Sequence, residues 1–376
     1  MITMNPVHFH GRSLWDSSYF PRDEYDQRLR IVQLEMARLG LGTLIVFGHI
    51  DRYQDLCWLT EFYPTLAWSL VIVPAQGDMQ LVPKMGGGRD IPAAKMRTWV
   101  QQVDNFKSLG KGLRETLAGR RDCGKVGVVA LDQSLPASLY YEAMQVLSEY
   151  ECIPADDLMA EIRRSPRRRN LSSMRQAARI VEAAANRLAA VHASGWSNAA
   201  AMVEADGVAR RMGASDFRGL AVLDETGELA PVEEQTHFHS EPLIAYLAVN
   251  FLGDWADLGI TIGGASLPLL EEAKSALRAM INGVRPGAKV EDLARLAADM
   301  LTPGHLHDAL RYGLGNGIGL ALFDDPTVEE GNSAILSENS VLTLRVRLSD
   351  GGAPGVLVSE MVRVMPNGGE KLLVPA

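Results

Sequence analysis

Cysteine is scarce in this chain: Cys57, Cys123 and Cys152 are the three among 376 residues. They are widely spaced and form no Cys-x-x-Cys pair. That excludes a thiolate metal box and a disulfide framework, and it suits a reducing compartment in which each thiol sits in the core. Long apolar runs are missing too. No window reaches the ~18 residues a membrane helix needs, and the start of the chain, with His8, His10 and Arg12, shows no apolar signal-peptide stretch. The expected location is the cytoplasm. Positive charge is in short supply: 37 Lys and Arg against 46 Asp and Glu leave a net charge of −9, which argues against nucleic acid or an anionic membrane as partner. The basic run Arg163-Arg164-Ser165-Pro166-Arg167-Arg168-Arg169 is the exception and reads as a solvated linker. There is no tandem repeat, no Gly-x-Ser-x-Gly elbow and no Gly-x-Gly-x-x-Gly at a strand–helix turn.

What is present is a globular composition, 47% hydrophobic and 22% charged, on a chain long enough for two domains. Apolar residues at helical spacing (Leu29, Ile31, Val32, Leu34, Met36, Leu39) predict a helix ending at Gly40. Short β-rich runs follow at 43–47, 68–73 and 79–82, then helix 108–118, strand 125–130 and helix 136–148. This alternation predicts an α/β domain with a mixed sheet over residues 1–160. The Pro and charge run near 151–170 marks a boundary. Residues 161–376 then open with an alanine-rich helix from Asn170 to about Ser194 and a second from Ser197 to Met212. Strands are expected at 219–224, 245–252, 257–263, 341–347 and 356–364, with helices at 268–282 and 290–301.

Within this second half, Gly313–Pro326 has four glycines in seven residues, a backbone that turns tightly or lies against a neighbour. No Lys-Ser/Thr follows and Leu320-Ala321-Leu322 runs on as an apolar segment, which argues against a phosphate-cradling loop. The segment resembles the Gly-His-Gly-Ile-Gly…His-Glu-x-Pro stretch of the creatinase/aminopeptidase P/prolidase superfamily, the pita-bread fold. Gly48–Phe62 is similar to the amino-domain segment of that superfamily, and Val284–Val290 to its turn between two helices. The resemblance runs in order along nearly the whole chain. It implies an α/β amino-terminal domain with a mixed sheet, an α+β pita-bread carboxyl-terminal domain, and a homodimer in which the amino-terminal domain supplies substrate contacts, here Arg52 and Tyr53.

Metal-dependent members of the superfamily hold two divalent ions with Asp, Asp, His, Glu and Glu. Matched onto this chain, those positions fall on Asn250, Asp257, Asn316, Arg345 and Glu360, with Asp254 as an alternative to Asp257; Phe323 replaces a further His. Two carboxylates, two amides and a guanidinium do not make a dinuclear site, and a fixed cation ~4 Å from a metal repels it by several kcal/mol at intermediate dielectric. The expectation is therefore no metal and no cofactor. Creatinase works without metal by means of a His proton shuttle, which matches His237 or His239 in Glu233–Leu243. On a strand both would address one pocket. Arg345 and Glu360 either neutralise each other as a buried pair or bind substrate, Arg345 by a bidentate fork. The leading expectation is a metal-independent, creatinase-like hydrolase or lyase acting on a C–N bond of a small polar molecule. In it His237 and His239 move the proton, Asp257 and Glu360 orient the reacting group, and Arg345, Asn250, Asn316, Phe323, Arg52 and Tyr53 contact the substrate. The alternatives are an inactive pita-bread module binding a peptide or protein, and a metal-dependent Xaa-Pro peptidase.

Overall fold

The structure, a computed structural model, describes residues 14–64, 68–84, 90–120, 124–164, 166–224, 226–232, 237–264, 266–349 and 355–373. Cys123 and residues 233–236 lie outside them. The chain divides into two compact units, Met1–Arg163 and Arg164–Ala376.

The first unit is built on a mixed sheet whose strands are β1 (Leu41–Gly48), β2 (Ser69–Pro74), β3 (Gln80–Pro83), β4 (Gln102–Val103), β5 (Lys125–Val129) and β6 (Cys152–Pro154), in the order β4-β3-β2-β1-β5-β6. β1 pairs antiparallel with β2 and parallel with β5. Every residue of β1 is buried, because a central strand covered on both faces reads as a continuous apolar run. Ile45, Phe47, Leu70 and Ile72 join Leu113 and Leu117 of helix Leu109–Ala118 in one core.

The second unit begins with helix Arg168–His192 and helix Asn198–Arg211. On the first, Ala177, Ala178, Ala184 and Ala185 are all buried, and such small side chains let the helix pack close to what lies beneath. That floor is a four-stranded sheet of β7 (Asp216–Val222), β8 (Leu229–Pro231), β9 (Leu243–Phe251) and β10 (Asp254–Ile262), in the order β10-β9-β7-β8. β9 and β10 form a hairpin closed by Leu252 and Gly253, at φ 52° and 94°; two positive φ values in a two-residue loop match the twist of the flanking strands. The other sheet comprises β11 (Gly315–Gly317), β12 (Asp324–Thr327), β13 (Val341–Leu348), β14 (Val356–Met365) and β15 (Gly368–Lys371), in the order β12-β11-β13-β14-β15. Leu342, Leu344, Val346, Val362 and Val364 on one of its faces pack with helix Leu267–Gly283 through Ala273, Ala276 and Met280.

Two local expectations are corrected. The glycine-rich segment contains two short strands where the sequence suggests only a turning wall. A Cβ on Gly315 would stand 2.3 Å from the Thr343 carbonyl oxygen, and one on Gly317 would stand 2.3 Å from that of Asp325, so glycine is what allows β11 to lie against its neighbours. Conversely, His237–Ser240 is not a strand. Asn198 takes over its backbone partners: its N–H donates to the Phe238 carbonyl at 2.9 Å and its side chain donates to Ser240 Oγ at 2.9 Å.

Candidate functional site

Strand register decides which side chains meet. Along a strand alternate residues share a face, and residues directly opposite in an antiparallel pair share it too. On β9 and β10, Tyr246 pairs with Gly259, Ala248 with Asp257 and Asn250 with Trp255, so Tyr246, Asn250 and Asp257 lie on one face. In the other sheet Asn316 pairs with Thr343 and Arg345 with Ser359, so these four share a face. The two faces meet: the Gly259 N–H donates to Ser359 Oγ at 2.6 Å, and Thr261 Oγ1 both donates to the Leu357 carbonyl at 2.8 Å and accepts from its N–H at 2.7 Å.

This register corrects the placing of Glu360. It pairs with Leu344, on the opposite face of the sheet from Arg345, and Ser359 faces Arg345 instead. A slip of one residue turns a side chain to the other side. Glu360 pairs with Lys371 at 2.9 Å, so the Arg345–Glu360 pair, one of the two alternatives for these residues, does not form. Asp254 is likewise turned away, accepting from Asn170 Nδ2 at 3.1 Å and from the Ser173 hydroxyl. Asp257, by contrast, lies on the β9–β10 face that meets the face of Arg345.

Its neighbours are tightly committed. Asn250 donates from Nδ2 to the Gly253 carbonyl at 3.0 Å, while its Oδ1 accepts from the Gly253 N–H at 3.0 Å and from Ser215 Oγ at 2.7 Å. Asn316 donates from Nδ2 to the Gly317 carbonyl at 2.7 Å and the Leu322 carbonyl at 3.2 Å, and its Oδ1 accepts from Arg345 Nη2 at 2.8 Å. The Arg345 guanidinium also lies 5.6 Å from the centre of the exposed Phe323 ring. Asp257 is 1% exposed and accepts from the Tyr246 hydroxyl at 2.9 Å. Burial pushes its carboxyl above the usual value, against the downward pull of the neighbouring Thr343 hydroxyl, then of Arg345 and the Tyr246 hydroxyl. Three buried polar atoms here have no hydrogen-bond partner: Asp257 Oδ1, Thr343 Oγ1 and Arg345 Nη1. Native interiors leave few such atoms unsatisfied.

The two candidate histidines lie on the loop that leads into β9. His237 is exposed on its loop. His239 is also exposed; its Nδ1 lies 2.7 Å from the Trp196 carbonyl, and its ring stacks on His192 with centroids 4.2 Å apart and planes 9° apart. His192, which the sequence did not single out, is buried with Nε2 2.9 Å from the Ser240 carbonyl. Burial, then the neighbouring His239, holds its pKa below the usual imidazole value. In the first unit, Arg52 forms a backbone bridge with His49, and the buried Tyr53 packs its ring 5.1 Å from that of Tyr63.

These side chains do not fit a pair of divalent ions. Hard cations need several anionic oxygens, and the two faces supply one carboxylate, two amides whose atoms are already bonded, the hydroxyls of Tyr246, Thr343 and Ser359, and arginine guanidinium groups. Among the described residues no group of three or more His, Cys, Asp or Glu is placed to hold a metal. No described helix is long and apolar enough to cross a membrane.

Comparison with known proteins gives the relationships. Residues 172–366 match the model described as Metallopeptidase family M24, and residues 28–165 match the Creatinase/Prolidase N-terminal domain. A curated relative, the probable dipeptidase PepE of Mycobacterium bovis, is 23% identical over 391 residues, covering 94% of this chain and 95% of its own. The crystal structure of the prolidase from Pyrococcus horikoshii OT3 superposes with a TM-score of 0.77 at 16% identity, covering 93% of this chain and 99% of its own. Dipeptidase PepE from Mycobacterium ulcerans gives 0.75 at 17% identity, covering 96% of each chain. The fold is thus a creatinase-type amino-terminal domain followed by a pita-bread domain. These relatives also overturn one expectation: they are named dipeptidases and a prolidase rather than creatinases, so the reading as a creatinase-like hydrolase of a small C–N compound is withdrawn.

Proposed function

The chain belongs to metallopeptidase family M24, a family of hydrolases, and from that premise we propose that it binds a short peptide between Asp257 and Arg345 without a dinuclear metal centre. The observation that carries this reading is the set of unsatisfied buried atoms. Arg345 Nη1 is a donor of fixed positive charge with no partner, and Asp257 Oδ1 and the neighbouring Thr343 Oγ1 make no well-formed hydrogen bond to any other group. A carboxylate on Arg345 and an amine or amide N–H on Asp257 satisfy donor and acceptor together, and a peptide carries both groups. The peptide class is supported by the relatives' names, dipeptidase and prolidase.

A second reading, metal-dependent hydrolysis of such a peptide, is favoured by those same names and disfavoured by the donor set: Arg345 sits where an anionic ligand is needed. Calorimetric titration of the full chain with Gly-Pro and Ala-Pro, before and after chelator treatment, separates the two. Binding is expected to survive the chelator, with no release of proline over hours. Turnover that requires added Mn²⁺, with about two ions bound per chain, overturns the metal-free reading. Absence of binding by any dipeptide overturns peptide recognition.

A further inference from the structure

Arg347 follows Arg345 by two residues on β13, so it lies on the same face, about 7 Å along the strand. It is 3% exposed. Its Nη2 donates to the Gly227 carbonyl, and its guanidinium lies 4.3 Å from the centre of the Tyr312 ring. Its Nε and Nη1 are buried with no partner. The acidic groups nearby are already engaged. Glu228 accepts from the Tyr312 hydroxyl at 2.7 Å and from Arg311 at 3.0 Å, and Asp308 accepts from the Ser349 N–H at 3.1 Å and from its hydroxyl. Neither forms an ion pair with Arg347. With Arg345 Nη1, three unsatisfied guanidinium nitrogens from two neighbouring arginines therefore line one sheet face. Leaving charged donors buried and unsatisfied is costly, and an anion docking there removes that cost.

We propose that Arg347 forms a second anion subsite beside Arg345 and takes the side-chain carboxylate of an acidic residue in the bound peptide. The proposal rests on the peptide-binding reading and narrows it to acidic peptides: the terminal carboxylate goes to Arg345 and the side-chain carboxylate to Arg347. Planar guanidinium forks suit carboxylates in this way.

The test uses two peptides of nearly equal size, Gly-Glu and Gly-Gln, titrated calorimetrically into the full chain. Gly-Glu is expected to bind at least about tenfold more tightly, the gap shrinking as salt is raised. In Arg347→Gln the ratio falls towards one, and in Arg347→Lys part of it remains. Thermal melts establish whether each variant is folded; if Arg347→Gln is not, the wild-type ratio and Arg347→Lys decide. Equal affinities in the wild-type chain overturn the subsite and leave peptide recognition standing. Binding of neither peptide overturns both. A preference undiminished in folded Arg347→Gln overturns the assignment to Arg347.

Discussion

Arg345 is fastened to the glycine-rich segment: its Nη2 donates to Asn316 Oδ1 at 2.8 Å across the β11–β13 ladder. One guanidinium nitrogen is therefore used to hold the fold, while Nη1 has no hydrogen-bond partner. Arg345→Met should lower affinity for dipeptides by roughly tenfold to a hundredfold, as expected for loss of a charge-assisted contact. Glu360→Gln, on the opposite face of the same sheet, should leave that affinity unchanged. Titration of both variants checks the register as well as the site, since a loss in Glu360→Gln would place that carboxylate with the ligand after all.

Asp257 is held above its normal pKa by burial. Its protonated form is favoured in the folded chain, so the stability it contributes is fully present below the unfolded value of about 3.9 and is lost as pH rises through the folded value. Asp257→Asn has no such loss. Its melting temperature should exceed that of the wild type at pH 7–8, with the difference shrinking as pH is lowered towards 4, as followed by scanning fluorimetry.

The stacked pair His192 and His239 carries the opposite sign. The pKa of His192 is depressed, so its contribution is present above the unfolded value of about 6.5 and is lost as pH falls through the folded value. His239→Gln removes the like charge that helps depress it. This variant should lose less stability than the wild type between pH 7 and 5, read from thermal melts across that range.

Gly317→Ala should destabilise by about 2 kcal/mol or more, because its Cβ meets the Asp325 carbonyl backbone at 2.3 Å. Gly319→Ala, two residues on, meets nothing within 4 Å and should be nearly neutral. Chemical denaturation of the two variants distinguishes close backbone approach from a general requirement for flexible glycines.

Much of the fold is legible in the sequence, since periodicity reports burial. The run Thr43–Phe47 announces β1, and the alanines after Asn170 announce the long helix. The site is legible only in part. Asn250, Asp257, Asn316 and Arg345 fall on facing surfaces as motif matching places them, whereas Glu360 attracts the match by identity alone. Phase along the strands was the signal against it. Leu342, Leu344 and Val346 alternate with Thr343, Arg345 and Arg347, and Glu360 falls in the apolar phase of Val356, Val358, Val362 and Val364, leaving Ser359 opposite Arg345. The stacking of His192 on His239 left no such trace, because it joins a helix end to a distant loop. Arg347 was visible as a residue, but its unmet donors depend on how Glu228 and Asp308 are spent.

The hydrogen bonds of Asn250 at the β9–β10 turn and of Asn316 bear on what a substitution at either position would cost. Asn250 serves the Gly253 backbone with both ends of its amide, and Asn316 joins three partners. Exchanging Asn250 for Asp forfeits the bond to the Gly253 carbonyl, and exchanging Asn316 for His forfeits the acceptor that steadies Arg345. Either step costs stability at once, while a metal returns nothing until several anionic ligands stand together. Because both amides brace the scaffold, no single substitution at either position adds a ligand without also removing a hydrogen bond.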